Sequence, residues 1–256
     1  MGLVEYDVAD AVATIVLNRP PVNALNAELI QDIDNAVGRA QDPAIRAVVI
    51  TSATPHFAVG ADITGFQDAF ETGAQDRQSA GLAATATRLA GLAKPTIAAV
   101  HGVALGGGLE LAMGADLRYL ADDARVGQPE ILLGLIPGAG GTQRLSRIVG
   151  YQRALEMCIS GRHVGAEEAL AIGLADRVVA AADLREAAVE AATQFAAGPT
   201  QAYAGVKRAV GDGFDLTLEA GLAIEAEEFA RVFATDDARR GVAAFLAKGT
   251  PEFEGN

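Results

Sequence analysis

The sequence holds a single cysteine, Cys158, so no disulfide can form within the chain and a reducing compartment is its natural setting. No run approaches the roughly 18–20 apolar residues that a membrane-spanning helix needs, so no membrane partner is expected. The stretch Met1 to Asp10 carries acids early and lacks a basic segment followed by an apolar one. No signal peptide is expected from it, and the cytoplasm is the expected location. Lysine is scarce: Lys94, Lys207 and Lys248 are the three present, the arginines are dispersed, and the formal net charge is −13. That balance speaks against a nucleic-acid partner, because gripping a phosphate backbone takes a clustered basic face. An anionic ligand would need a local pocket of basic side chains or helix N-termini instead.

Common catalytic signatures are missing as well. A dinucleotide-binding fingerprint would need a third glycine where Leu111 stands, and Gly140-Gly141-Thr142 lacks the lysine of a phosphate-binding loop. His56, His101 and His163 lie far apart and no H-E-x-x-H occurs, so no metal site is expected. No G-x-S-x-G appears, although spacing alone leaves a Ser–His–Asp triad open. Packing or surface roles suit the three histidines better than chemistry, and Cys158, in the helix-like run Leu155–Ile159, reads as a small buried hydrophobe.

What is present is a chain of 256 residues, half of them apolar, enough for one large core with an appendage. Val12 to Leu17 is an apolar, β-branched run that stops at Asn18-Arg19-Pro20-Pro21. Asn26 is placed to cap a helix running through Ala40, with Leu29, Ile33, Ala36 and Val37 on one face. Arg46 to Thr51 and Thr96 to Val100 read as strands, with a helix from Gln78 to Leu92 between them. Gly102 to Gly108 then opens onto a helix from Leu109 to Met113. This alternation predicts an α/β fold with active groups on connecting loops. From about Ala181 the pattern is helical: Ala182–Ala197, Gln201–Val210, Leu216–Val232 and Asp236–Leu246. Such a tail either covers a site and mediates oligomerisation or is simply more core.

Three stretches stand out: Phe57 to Ile63 (FAVGADI), Ala104 to Leu111 (ALGGGLEL) and Gly127 to Thr142 (GQPEILLGLIPGAGGT). In the second, a buried strand running into three glycines and a helix presents unpaired N–H groups at a positive helix end. That geometry suits an oxyanion; the blander reading is a tight turn that needs glycine for backbone reasons. Glu110 follows in the first helical turn, where a carboxylate complements the dipole. Its flanks, Leu109, Leu111 and Ala112, suggest burial, which is costly for a Glu with no basic neighbour in sequence unless it has a task or a partner. Glu130, between Pro129 and Ile131-Leu132-Leu133, stands at the edge of an apolar region. Two carboxylates at one cavity would titrate as a coupled pair, suited to adding water across a double bond.

Taken together, these stretches resemble the crotonase (enoyl-CoA hydratase/isomerase) family. The likeness runs from Asn18-Arg19-Pro20 and Asn23-Ala24-Leu25, through the three stretches, to Ser160-Gly161, Ala169–Ala175 and the tail Lys248–Phe253. The resemblance implies a crotonase-like spiral of repeated ββα units over residues 1–195, carrying a coenzyme A thioester site. It implies a helical region over 196–256 for trimerisation and for covering the site, with a homotrimer or a dimer of trimers as the assembly. No metal and no separate cofactor are implied, coenzyme A being part of the substrate.

Carried over residue by residue, the resemblance puts an oxyanion hole at the N–H groups of Ala61 and Gly107 and the catalytic pair at Glu110 and Glu130. It puts substrate contacts at Val22, Ala24, Asp62, Ile63, Thr64, Leu105, Gly106, Pro129, Pro137 and Gly138. With both glutamates present the chain looks like a hydratase acting on trans-2-enoyl-CoA; the alternatives are a Δ3,Δ2-enoyl-CoA isomerase and a non-catalytic acyl-CoA-binding relative. Arg19 to Leu25 is one residue shorter than the common hydratase version, and His101 stands where many hydratases have Asn. The stretch from Gly65 to Gly81, which the resemblance sets along the acyl pocket, is polar and contains glycine, leaving chain-length preference open.

Overall fold

The computed structural model describes residues 2–66, 70 and 77–256. Strands β1 (Val4–Ala9) and β2 (Val12–Leu17) form an antiparallel hairpin in which Ala9 faces Val12. The two-residue turn between them, Asp10-Ala11, has both φ angles positive (49° and 61°), as the twist of a two-residue hairpin demands. Every residue of β2 is buried, and its β-branched run suits a strand covered on both faces.

Helix α1 (Ala27–Arg39) starts where Asn26 Oδ1 accepts the Leu29 N–H at 2.9 Å, and it buries Leu29, Ile33, Ala36 and Val37 as the 3.6-residue period predicts. Strand β3 (Ala47–Ser52) lies parallel to β2. Helix α2 (Arg77–Ala90) leads to β4 (Thr96–Val100), parallel to β3. Next come β5 (Val103–Leu105), helix α3 (Gly107–Ala112), β6 (Leu117–Ala121) and β7 (Arg125–Gly127). A 3₁₀ turn (Pro129–Leu133), helices α4 (Gly141–Val149) and α5 (Tyr151–Ser160), β8 (His163–Gly165), α6 (Ala166–Ala171) and β9 (Arg177–Val179) complete the body.

The strands sort into a large sheet ordered β1-β2-β3-β4-β6-β9 and a small one ordered β5-β7-β8. Consecutive strands β4/β5 and β6/β7 split between the two sheets before the chain turns into helix, which is the expected ββα unit. In the two earlier turns the second strand shrinks to single bridges, Leu25 to Ala61 and Ala58 to Ala104. The inner layer is therefore a ladder of short pieces, and each successive chain turn sets one loop beside the last.

The C-terminal part is helical as expected: α7 (Leu184–Ala196), α8 (Thr200–Gly213), α9 (Leu218–Phe233) and α10 (Asp236–Leu246). Helix α7 packs on β2, β3 and β4, whereas α8 packs chiefly on α9. The last residues return to the body. Arg46 donates to Gly198 O (2.6 Å) and Phe253 O (3.3 Å), and the buried Asp237 carboxylate accepts the Glu254 and Gly255 N–H groups at 2.8 and 2.7 Å. Two local readings need correction. The helix expected from Leu109 begins at Gly107, and a separate strand, β5, precedes it. Gly106 N donates to Gly127 O across the small sheet, so the glycines serve pairing and helix start together. No helix among the described residues is long and apolar enough to cross a membrane.

Candidate active site

The inner-layer pieces end side by side: Ala61 follows one bridge, Gly106 follows β5, and Pro129 comes two residues after β7. Their C-terminal ends open into one cavity of about 710 Å³ whose lining includes Ala61, Gly106, Gly107, Glu110 and Glu130. Among the described residues, neither the Ala61 N–H nor the Gly107 N–H donates a hydrogen bond. Gly107 is the first residue of α3, so its N–H is one of the amides a helix start leaves free.

Gly106 has φ +50°, and a Cβ built on it would fall 2.8 Å from Glu130 Oε1. Glycine is required there on two counts: the backbone is in a region side chains avoid, and a carboxylate occupies the side-chain space. Gly141 is similar, because a Cβ on it would come within 2.9 Å of Glu110 Oε1.

Glu110 is 2 % exposed. Its partners come from across the fold: Oε1 accepts the Ala139 and Gly141 N–H groups, both at 2.7 Å, just where α4 begins. Burial raises the Glu110 pKa, while these two N–H groups and the charge of Arg144 pull it back. Glu130, half-buried in the 3₁₀ turn, is pushed up to about 7, first by burial and then by the negative field of Glu110; its backbone hydrogen bond opposes. Gln128, fully buried, reaches the same carboxyl. With the amide turned so that both its ends are satisfied, its nitrogen donates to Glu130 Oε1 and Oε2 at 3.0 and 3.1 Å. Gln128 was not singled out from the sequence; its place directly before the Pro129 that opens the 3₁₀ turn is the one signal that could have found it.

Of the substrate contacts carried over from the resemblance, Ala24, Asp62, Ile63, Gly106, Pro129 and Gly138 line the cavity, and Val22, Thr64, Leu105 and Pro137 stand outside its wall. Thr64 instead donates its hydroxyl to Asp62 Oδ1 at 2.7 Å. Leu105 N bonds Ala58 O, and Pro137 is buried against Gly141. Asp62 is ion-paired to Arg19 at 2.7 Å, and the Thr64 hydrogen bonds, ahead of Arg19, hold its pKa below the usual carboxylate range. Arg19 also donates to Ala24 O, tying the Arg19–Leu25 loop to this edge.

The rest of the wall is mostly apolar, with Leu25, Ile30, Phe66, Leu82, Leu133 and Ile136 prominent. Phe66, Phe70 and Ser79 come from the Gly65–Gly81 stretch; residues 67–69 and 71–76 of that stretch lie outside the described residues. Cys158 is half-buried rather than fully buried, and its thiol pKa is raised by burial and then by Glu130 and Glu110. His101 is held to Thr54 O at 2.8 Å. Among the described residues no group of three or more His, Cys, Asp or Glu is arranged to hold a metal ion.

Comparison with known proteins gives this arrangement its class. The structure superposes on a crystal structure of an enoyl-CoA hydratase from Bacillus anthracis with a TM-score of 0.91, at 35 % identity and covering 99 % of this chain and 100 % of that one. A Geobacillus kaustophilus structure of the same description gives a TM-score of 0.95 at 34 % identity, covering 100 % and 98 %. A probable enoyl-CoA hydratase of Mycobacterium tuberculosis is 44 % identical over 98 % of this chain and 96 % of its own length. The mitochondrial enoyl-CoA hydratase of Pongo abelii is 39 % identical over 98 % and 88 %. Fold and kinship together define an enzyme built on the crotonase spiral. Residues 7–256 match the model of the enoyl-CoA hydratase/isomerase family, and the chain belongs to that family.

Proposed function

We propose that the protein is an enoyl-CoA hydratase, adding water to a trans-2-enoyl-CoA to give a 3-hydroxyacyl-CoA. The observation that carries this reading is the unequal pair of carboxylates beside two free amides. Burial raises Glu110, but two N–H donors and the charge of Arg144 oppose that rise, whereas Glu130 has no such cation and is pushed up to about 7.

In this mechanism the thioester carbonyl accepts hydrogen bonds from Ala61 N–H and Gly107 N–H. Glu110 takes a proton from a water as the water oxygen bonds to the β-carbon. The double-bond electrons move toward the carbonyl, whose growing negative charge the two amides stabilise. Glu130 then delivers its proton to the α-carbon, leaving one proton and one hydroxyl added. The apolar wall suits an acyl chain, and the polar edge at Arg19 and Asp62 suits the thioester carrier. In this reading residues 196–256 form the region through which chains assemble, as a trimer or paired trimers. A cytoplasmic location fits the lone Cys158.

The test follows the loss of conjugated-enoyl absorbance with crotonyl-CoA and with a longer 2-enoyl-CoA. Parent protein should hydrate both, and Glu110→Gln and Glu130→Gln should each lose about 10²–10⁴ in kcat. A parent that binds the thioester without hydrating it, yet converts 3-enoyl-CoA, is an isomerase and sinks the proposal.

A further inference from the structure

We propose that Arg144 is a positioning residue for this site: lodged behind the Ala139–Gly141 loop, it supplies a positive charge that favours the carboxylate form of Glu110. Its place in catalysis rests on the hydratase reading; its effect on Glu110 does not.

Glu110 Oε1 receives its two N–H groups at the start of α4, and Arg144 lies one helical turn further on. Its side chain folds back over that turn, so that a Cβ on Gly140 would meet Arg144 Nε at 3.3 Å. The guanidinium then reaches across to α2, where it donates to Thr87 Oγ1 at 2.9 Å. Arg144 Nε is buried and, among the described residues, donates to nothing.

Thr87 fixes one end of the guanidinium, and leaving Nε buried without an acceptor is a cost that this bond does not remove. Arg19, Arg118, Arg162, Arg231 and Arg240 each have a carboxylate within ion-pair distance, and Arg144 has none among the described residues. Its field is therefore not cancelled by a close partner, and Glu110 is the carboxylate that feels it. The other titratable groups acting around Glu110 are Glu130 from the 3₁₀ turn and the Cys158 thiol from α5. Neither is a cation. The start of α4 adds its dipole in the same direction. Without Arg144 the two carboxyls would share their proton more evenly, and fewer molecules would carry the base on one side and the acid on the other.

The experiment is a carboxyl-carbon NMR titration of glutamate-labelled protein, with the Glu110 signal assigned by its loss in Glu110→Gln. In Arg144→Gln the Glu110 midpoint should rise by about one pH unit, and Arg144→Lys should restore most of the shift. The acid limb of kcat/KM toward a 2-enoyl-CoA should rise with it, because fewer Glu110 carboxylates are ionised at a given pH. An unmoved Glu110 midpoint overturns the proposal. So does a uniform loss of kcat/KM at every pH, which is what a merely structural arginine would give. If Arg144→Gln does not fold, Thr87→Val releases the guanidinium from its anchor and is read the same way: an upward shift supports the role and a fixed midpoint removes it. Failure of the hydratase reading is seen separately as an inactive parent, and the titration still decides the role of Arg144.

Discussion

Glu130 carries the sharpest consequence at the scale of single residues. Its folded pKa, about 7, is set by burial and by Glu110, whereas an unfolded glutamate titrates at about 4.3. As the proposed acid of the reaction it must enter protonated, so kcat/KM should fall as pH rises through about 7, approaching tenfold per unit above it. Stability follows the same group. Between those two pKa values the folded chain binds more protons at this site than the unfolded chain, so raising pH across the window destabilises the fold. Glu130→Gln has no such proton to lose. Its melting temperature should exceed the parent's at pH 8 and converge with it only below about pH 4, under the unfolded pKa, even as hydration collapses. Equal midpoints at both pH values would show that Glu130 is not strained by ionisation, and a flat rate profile would remove it as the acid. The identity of this residue was legible from the sequence through Pro129 and the apolar run after it. Its partner Gln128, and the amides and arginine that serve Glu110, were not. They lie at positions 139, 141 and 144, and only the turn of the spiral brings them to residue 110.

Elements explain why some of the fold could be read and some could not. Helix α1 announces itself because its cap, its period and its apolar face agree, and Val12–Leu17 because β-branched residues run unbroken into prolines. Strand β5 was hidden because its three residues, Val103–Leu105, are too few to show an alternation, and the early start of α3 because three consecutive glycines argue against helix by propensity. Their use is tertiary: close approach to neighbouring chain turns outweighs local preference. Gly106→Ala tests that balance. The new methyl would sit 2.8 Å from Glu130 Oε1 on a backbone with φ +50°. With ψ −122° the backbone lies in a region that glycine occupies almost alone, where a side chain costs about 1–3 kcal/mol; a domain of this size tolerates that, so the variant should fold with a lowered melting temperature. The displaced carboxyl should cost far more in rate, about 10² or greater in kcat. A variant that melts lower but turns over at the parent's rate would show that Glu130 can move without penalty, contrary to its proposed role.

At the scale of the whole molecule, the C-terminal helices are the part that does not account for itself alone. Val206 and Val210 on α8, Leu218 and Leu222 on α9, and Val242, Phe245 and Leu246 on α10 are all exposed; Phe229 and Phe233 stack on one another with 68 % and 67 % exposure. Single exposed apolar residues are ordinary, but i, i+4 pairs repeated on adjoining helices make faces that water does not favour. A net charge of −13 opposes association, so a face that associates must be apolar enough to outweigh it. The tail is fixed in a way that serves such a face: Asp237 and Arg46 clamp residues 253–255, so α10 is held at both its start and the segment beyond its end. On the proposed assembly, sedimentation should give a particle of three chains, or of six. The double variant Phe229→Glu, Phe233→Glu should fall to single chains with its helix content kept. Its hydration rate then separates two roles for residues 196–256. Activity retained in the single chain means that the helices only assemble, whereas loss of binding with an intact fold means that a neighbouring chain helps to close the site. A parent that sediments as a monomer at micromolar concentration would remove both roles, leaving the exposed phenylalanines without a partner of this kind.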